Sequence, residues 1–228
     1  MTKADPKRII PEDYLYLGRL QIATGSDSLG VQSLQKAYSL DSTQADVFLE
    51  IAKSNFAHKK YALAGDAYRT YISKSKKAVL NDYLSEALSY YKEFTTQYYS
   101  KATPKPVADT SLLTKADTAF SYIQHKAAAP VAIVALYQAR EQDYKEPDRN
   151  TSKGLAKPYY EQFIALTLAK TPLKDSDKPF LAEAYDYLGR YYELVGKDDV
   201  KAADNYSKAL SYDPADKQAL DYQARHKK

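Results

Sequence analysis

The sequence repeats itself at a fixed interval, and nothing else in it narrows the possible folds as far. Tyr14-Leu-Tyr-Leu17-Gly18, followed by Gly30, Leu34, Ala37 and Leu40-Asp41, lies over Phe48-Leu-Glu-Ile51-Ala52, then Ala64, Tyr68, Tyr71 and Ile72, with Tyr14 and Phe48 34 residues apart. Near the other end Tyr185-Asp-Tyr-Leu188-Gly189, then Tyr192, Ala202, Tyr206, Ala209-Leu210 and Pro214, runs through the same order with one extra residue in the turn. A period of this size means that each unit is one supersecondary element, too small to enclose a core of its own.

Within each unit the apolar residues fall three and four apart, as at Tyr14, Leu17 and Ile22 or at Ala202, Tyr206 and Ala209, which places them in one stripe along a helix. The small residue after Leu17, Ile51 or Leu188 allows a second helix to approach closely. Neither helix can bury its stripe alone, so successive pairs must stack. Helix starts fit this reading: Pro11 precedes Glu12 and Asp13, Asp46 opens the second unit, and Pro179 leads the fifth. Leu-Asp-Ser at 40–42 and Tyr-Asp-Pro at 212–214 supply stops.

The middle of the chain departs from the period. Positions 117 and 151, where new aromatic anchors would fall, hold Asp and Thr, and four helical stretches are readable between 82 and 171. Two enlarged pairs fit better than three ordinary ones. In the third, a first helix runs from Tyr83 to about Tyr99 and a second carries Ala116, Phe120 and Ile123. A Pro-punctuated loop at 100–111 separates them, so Ala87 and Ala116 are 29 residues apart where Gly18 and Gly30 are 12 apart. In the fourth, a helix from Pro130 to about Tyr144 and a polar loop at 145–153 precede Tyr159-Tyr160 and Phe163-Ile164. Either Ala135 or Ala139 serves as its close-packing small residue, and Pro158 sits in or near a first turn. The expected pairs are therefore about 12–40, 45–74, 79–126, 129–171 and 178–212, in one domain over 1–228. A capping helix at 215–226 packs Ala219, Leu220 and Tyr222 and keeps a polar outside. No such cap precedes the first pair, which predicts further repeats or a signal segment ahead of Met1.

These residues resemble the tetratricopeptide repeat (TPR), whose pattern is an aromatic, Leu-Gly, Tyr, then Ala, an aromatic and a closing Pro over 34 residues. Every copy here has Tyr or Phe where the family most often has Trp. The resemblance implies an all-α fold, a right-handed α-solenoid of about five TPR-like helix pairs plus the C-terminal cap. It also implies a partner-binding concave face built from the first helices: Glu12, Leu15, Tyr16 and Arg19; Asp46, Leu49, Glu50 and Lys53; Leu84, Leu88 and Tyr91; and Glu183, Asp186, Tyr187 and Arg190. The clamp by which some such grooves hold a terminal carboxylate is not matched, since its places hold Leu15, Arg19, Glu50, Asn81 and Ser85. Enlarged middle pairs and Tyr-rich helices resemble TPR proteins of the bacterial cell envelope, which favours an envelope location over the cytoplasm.

The rest of the composition offers little chemistry. With no Cys and three scattered His, thiolate sites, Cys nucleophiles and His-based metal sites are disfavoured. Ser73-Lys-Ser-Lys76 has a serine–lysine spacing without its companion motifs. Glu183 with Asp186, and Asp198 with Asp199, read as solvated helix faces and a turn rather than as acid–base pairs. A net charge of +4 gives no electrostatic footprint for nucleic acid. The longest apolar run, Val131 to Tyr137, is far short of the ~20 residues that span a bilayer. The sequence thus predicts a non-enzymatic, cofactor-free scaffold for a protein or peptide, itself able to self-associate. Two alternatives are a regulatory or accessory domain of a longer chain and an RNA-binding helical repeat.

Overall fold

In the computed structural model, residues 10–146, 148 and 152–226 are described, and the expectations about the segment at Met1 lie outside them. The described residues form eleven α-helices, packed in consecutive pairs as a TPR-like helical repeat array, with no strand among them. The chain divides into two compact units, one ending at Lys126 and the other beginning at Ala127.

The first unit contains α1 (Pro11–Ala23), α2 (Asp27–Leu40), α3 (Asp46–Ala57), α4 (Tyr61–Lys74), α5 (Leu80–Tyr98) and α6 (Ser111–Lys126). Local chemistry sets the starts. Pro11 occupies the first turn of α1, and the Ile10 N–H donates to the Asp13 carboxylate at 2.9 Å. The same reciprocal device opens α5, where the Val79 N–H donates to Asp82 at 2.8 Å. Close approach within the first pair depends on glycine. A Cβ on Gly18 would lie 2.9 Å from the Gly30 carbonyl oxygen, and one on Gly30 2.8 Å from that of Gly18, so the two backbones nearly touch. Leu34, Ala37, Val47, Ile51, Ala52 and Tyr68 form one cluster across the first two pairs.

The second unit contains α7 (Ala132–Lys145), α8 (Lys157–Leu168), α9 (Lys178–Leu194), α10 (Asp199–Tyr212) and α11 (Lys217–His226), with a short 3-10 turn at Asp175–Asp177. Pro158 and Pro179 lie in the first turns of α8 and α9, and the Asp198 side chain caps α10 by accepting from the Lys201 N–H at 3.0 Å. Ala135 and Ala139 are both fully buried, so the two candidate small residues of α7 are used together. Leu136, Tyr160, Phe163, Leu181, Leu188, Tyr206 and Tyr222 belong to one core.

In both units a tyrosine ring fills the space beside a glycine. The Tyr90 ring lies where a Cβ on Gly65 would stand, and its hydroxyl donates to Asp66 at 2.7 Å. The Tyr206 ring covers Gly189 in the same way while its hydroxyl donates to Glu193 at 2.9 Å. In each case the ring fills the gap a missing Cβ leaves, and the carboxylate satisfies the only polar atom brought inside. Burial and the adjacent carboxylate both raise the phenol pKa of Tyr90 and of Tyr206.

Candidate partner-binding surface

The first helices of successive pairs are tied to one another by ion pairs. In the first unit the Arg19 guanidinium of α1 meets the Glu50 carboxylate of α3, with Nε at 3.0 and 3.1 Å from the two oxygens and Nη2 at 2.6 Å. This contact raises the arginine pKa. Asp46, at the start of α3, takes Lys77 at 2.6 Å from the turn that leads into α5. In the second unit Arg140 of α7 forks onto Glu183 of α9, which also accepts from the Tyr160 hydroxyl at 3.1 Å. Arg190 of α9 reaches back to Asp143 of α7 at 2.8 Å and lies over the Tyr187 ring. Glu193 of α9 takes Arg225 of α11 at 2.9 Å.

Several expected groove residues are thus brought together, but onto each other. Arg19 and Glu50 form one pair; Glu183 and Arg190 bind Arg140 and Asp143, neither of which was singled out from the sequence. A signal for such contacts exists. Arg19–Glu50 and Asp46–Lys77 are 31 residues apart and Glu193–Arg225 32 apart, one repeat less about one helical turn. Arg140–Glu183 and Asp143–Arg190 are 43 and 47 apart because the loop after α7 lengthens the unit, which hides them from a fixed-period search.

Three expected groove residues require correction. Leu15, Tyr91 and Tyr187, expected on the partner-binding concave face, are buried. Leu15 joins the core of the first two pairs, Tyr91 lies inside the first unit, and the Tyr187 ring packs on Tyr160 of α8 at 4.6 Å between centroids. Each sits on the side of its helix that meets a neighbouring helix, where a large side chain is worth more in the core than in water. Asp46, Leu49, Glu50, Leu84, Leu88, Glu183, Asp186 and Arg190 are half-buried, and Glu12, Tyr16, Arg19 and Lys53 are exposed. On α1 and α3, Glu12, Tyr16, Arg19 and Lys53 are the exposed members of the expected set, and Arg19 is held by Glu50.

Two clefts open beside the second helices of the first unit. One of about 360 Å³ is bounded by α2, α3 and α4, with Val31, Phe48, Ile51 and Leu63 as its apolar part and Gln32 and Gln35 at its polar edge. Another of about 370 Å³ lies between α4, α5 and α6, where Tyr83 stacks on Tyr122 at 4.1 Å and Arg69 holds Glu86 at 2.8 Å. Burial raises the Glu86 carboxyl and Arg69 offsets that only in part; beside Tyr122 the Tyr83 phenol is pushed up to about 12.

The groups that resembled catalytic pieces have structural duties. The Ser73 hydroxyl donates to the Thr70 carbonyl at 2.9 Å, Asp198 caps α10, and Glu183 holds Arg140 and Tyr160. Among the described residues no three His, Asp or Glu side chains converge as a metal site, and no helix is long and apolar enough to cross a membrane.

Paired helices linked first helix to first helix define the class: a TPR-like helical repeat protein, a fold that is typically a protein–protein interaction scaffold. The chain is similar in structure to the C-terminal part of a TPR repeat-containing protein from Cytophaga hutchinsonii, with a TM-score of 0.68, 26% identity, and 96% of this chain aligned to 76% of that one. It is also similar to YrrB, a TPR protein with an unusual peptide-binding site, with a TM-score of 0.55 at 13% identity, covering 93% of this chain and 91% of that one. A third similarity is to human IFIT1, solved as a dimer with m7Gppp-AAAA, with a TM-score of 0.52 at 16% identity, over 95% of this chain and 47% of that one. The last two likenesses concern the fold alone. No family model and no curated protein matches the sequence.

Proposed function

We propose that the chain is a non-catalytic scaffold that takes a partner polypeptide on the first-helix faces of its repeats. The carrying observation is the set of ion pairs from one first helix to the next: Arg19–Glu50, and Arg140–Glu183 with Asp143–Arg190. Such pairs add little stability where exposed, but they fix neighbouring faces in register, which lowers the ordering cost of binding an extended chain. Glu12, Tyr16 and Lys53 then offer an aromatic and both signs of charge on α1 and α3, a combination suited to a mixed-charge peptide. The half-buried Leu49, Leu84 and Leu88 supply apolar contact beside them. The peptide-binding site named for YrrB supports the same class of ligand; the capped RNA bound by IFIT1 supplies the competing reading, which a net charge of +4 does not favour.

The test is affinity capture from the native source with the full chain and with the double charge reversal Glu12→Lys/Lys53→Glu. Loss of specific capture, with far-UV circular dichroism unchanged, is the expected result. Unaltered capture removes the assignment to this face. Binding of single-stranded RNA that weakens steeply with salt would replace the polypeptide by RNA.

A further inference from the structure

The second pair holds a short side chain where the third holds a buried ring. Three residues after the close-packing small residue, the third pair has Tyr90 and the last Tyr192. The first has Gln21, which accepts from the Ser33 hydroxyl at 2.7 Å, and the second has Asn55. Tyr90 is fully buried, with its ring against Gly65 of α4 and its hydroxyl on Asp66. One 34-residue period earlier those two receiving positions are Val31 and Gln32 of α2, and both line the cleft of about 360 Å³ beside Asn55. Asparagine is too short to fill a tyrosine's place, so this cleft lies where the next pair keeps its own ring.

We infer that the cleft between α2, α3 and α4 is a peptide subsite that takes a tyrosine side chain together with its main-chain amide. Asn55 is the directing group. It is 6% exposed, shares a side of α3 with Phe48 and Ile51, and its side-chain amide has no hydrogen-bond partner among the described residues. A buried carboxamide left unpaired is costly, and its donor and acceptor match those of a peptide unit. Val31, Phe48, Ile51 and Leu63 supply apolar walls for a ring, and Gln32 stands at the position equivalent to Asp66, which accepts from the Tyr90 hydroxyl. The cleft carries one charge of each sign, Lys60 and Asp66, and Asp66 is already engaged by Tyr90 and Lys115, which favours an uncharged segment.

The subsite goes beyond the first-helix reading, since Val31, Gln32 and Asn55 are not among the residues proposed to contact a partner there, and either can fail alone. Titration of the isotopically labelled full chain with N-acetyl-tyrosinamide, followed by amide chemical shifts, is expected to give saturable shifts at Val31, Gln32 and Asn55, with a dissociation constant in the millimolar range. N-acetyl-alaninamide, which lacks the ring, is expected to bind at least about 10-fold more weakly. Asn55→Tyr supplies the ring from the chain itself and is expected to abolish the shifts. Gln32→Ala, at an exposed position, is expected to weaken binding about 5-fold with the fold retained. Absence of saturable shifts would overturn the inference, as would equal binding of the alanine probe. Undiminished binding in Asn55→Tyr, or in Gln32→Ala where Asn55→Tyr fails to fold, would overturn it by placing the ligand elsewhere.

Discussion

The first and last helix pairs carry nearly the same motif, Tyr-Leu-Tyr-Leu-Gly at 14–18 and Tyr-Asp-Tyr-Leu-Gly at 185–189, and meet opposite fates. In both, the glycine permits close packing of the second helix. Yet Tyr16 stands in solvent while Tyr187 is only 5% exposed, and Leu17 is open where Leu188 is buried. The difference lies in the neighbours: α9 has α8 on one side and α11 on another, whereas α1, among the described residues, packs on α2 and meets α3 through Leu15 and Arg19, which leaves Tyr16 and Leu17 uncovered. A repeat motif therefore encodes how two helices of a pair meet, and the adjacent pair decides whether the remaining face becomes core or surface.

The strongest way to break that comparison is to truncate both tyrosines. Tyr187→Ala is expected to cost about 3–4 kcal/mol through cavity formation, and Tyr16→Ala no more than about 0.5 kcal/mol at an exposed position, both read from urea unfolding followed by circular dichroism. Equal costs would show that α1 is covered in solution. Next in size is Gly18→Ala, at about 2–3 kcal/mol, because the added carbon would meet the Gly30 carbonyl at 2.9 Å and Leu34 at 2.8 Å. A neutral outcome would mean that the first pair can spread, unlike the last.

A smaller contrast separates the ion pairs. Arg140→Ala removes a partner of Glu183 whose side chain is 20% exposed and is expected to cost about 1–2 kcal/mol, against roughly 0.5 kcal/mol for Arg19→Ala, whose side chain is 47% exposed. Thermal midpoints at low and high salt check this, the Arg19 effect fading more completely as salt rises. The smallest effect concerns Glu86, whose carboxyl is raised chiefly by burial. A carboxyl with a raised folded pKa adds stability below its unfolded pKa, and that contribution is lost as pH climbs through the folded value. Between about pH 4 and pH 7, spanning the ordinary carboxylate range, the native chain should therefore lose stability relative to Glu86→Gln. Parallel pH profiles would show that Arg69 compensates the burial fully.

Much of this fold was legible in the residues. The spacing of Tyr14, Leu17, Gly30 and Leu34 announced a close helix pair, and Pro11, Asp46 and Pro179 marked helix starts, because these features act within one or two turns of chain. The candidate surface was legible only in part. Alignment places Tyr91 and Tyr187 on the concave face because it transfers a position without its neighbours, and both are buried. Arg140 and Asp143 escaped notice because the loop after α7 displaces them from the 31-residue offset that Arg19 and Glu50 obey.

What the sequence determined by itself is periodic: helices in pairs, glycine or alanine where they touch, and tyrosine or phenylalanine as the leading aromatic of each unit. Only the tertiary structure decided which of two like tyrosines is core, which carboxylate an arginine takes, and which apolar face stays open. The first set depends on steric fit between residues near in sequence. The second depends on what a third helix brings to the same face, and no local pattern contains that information.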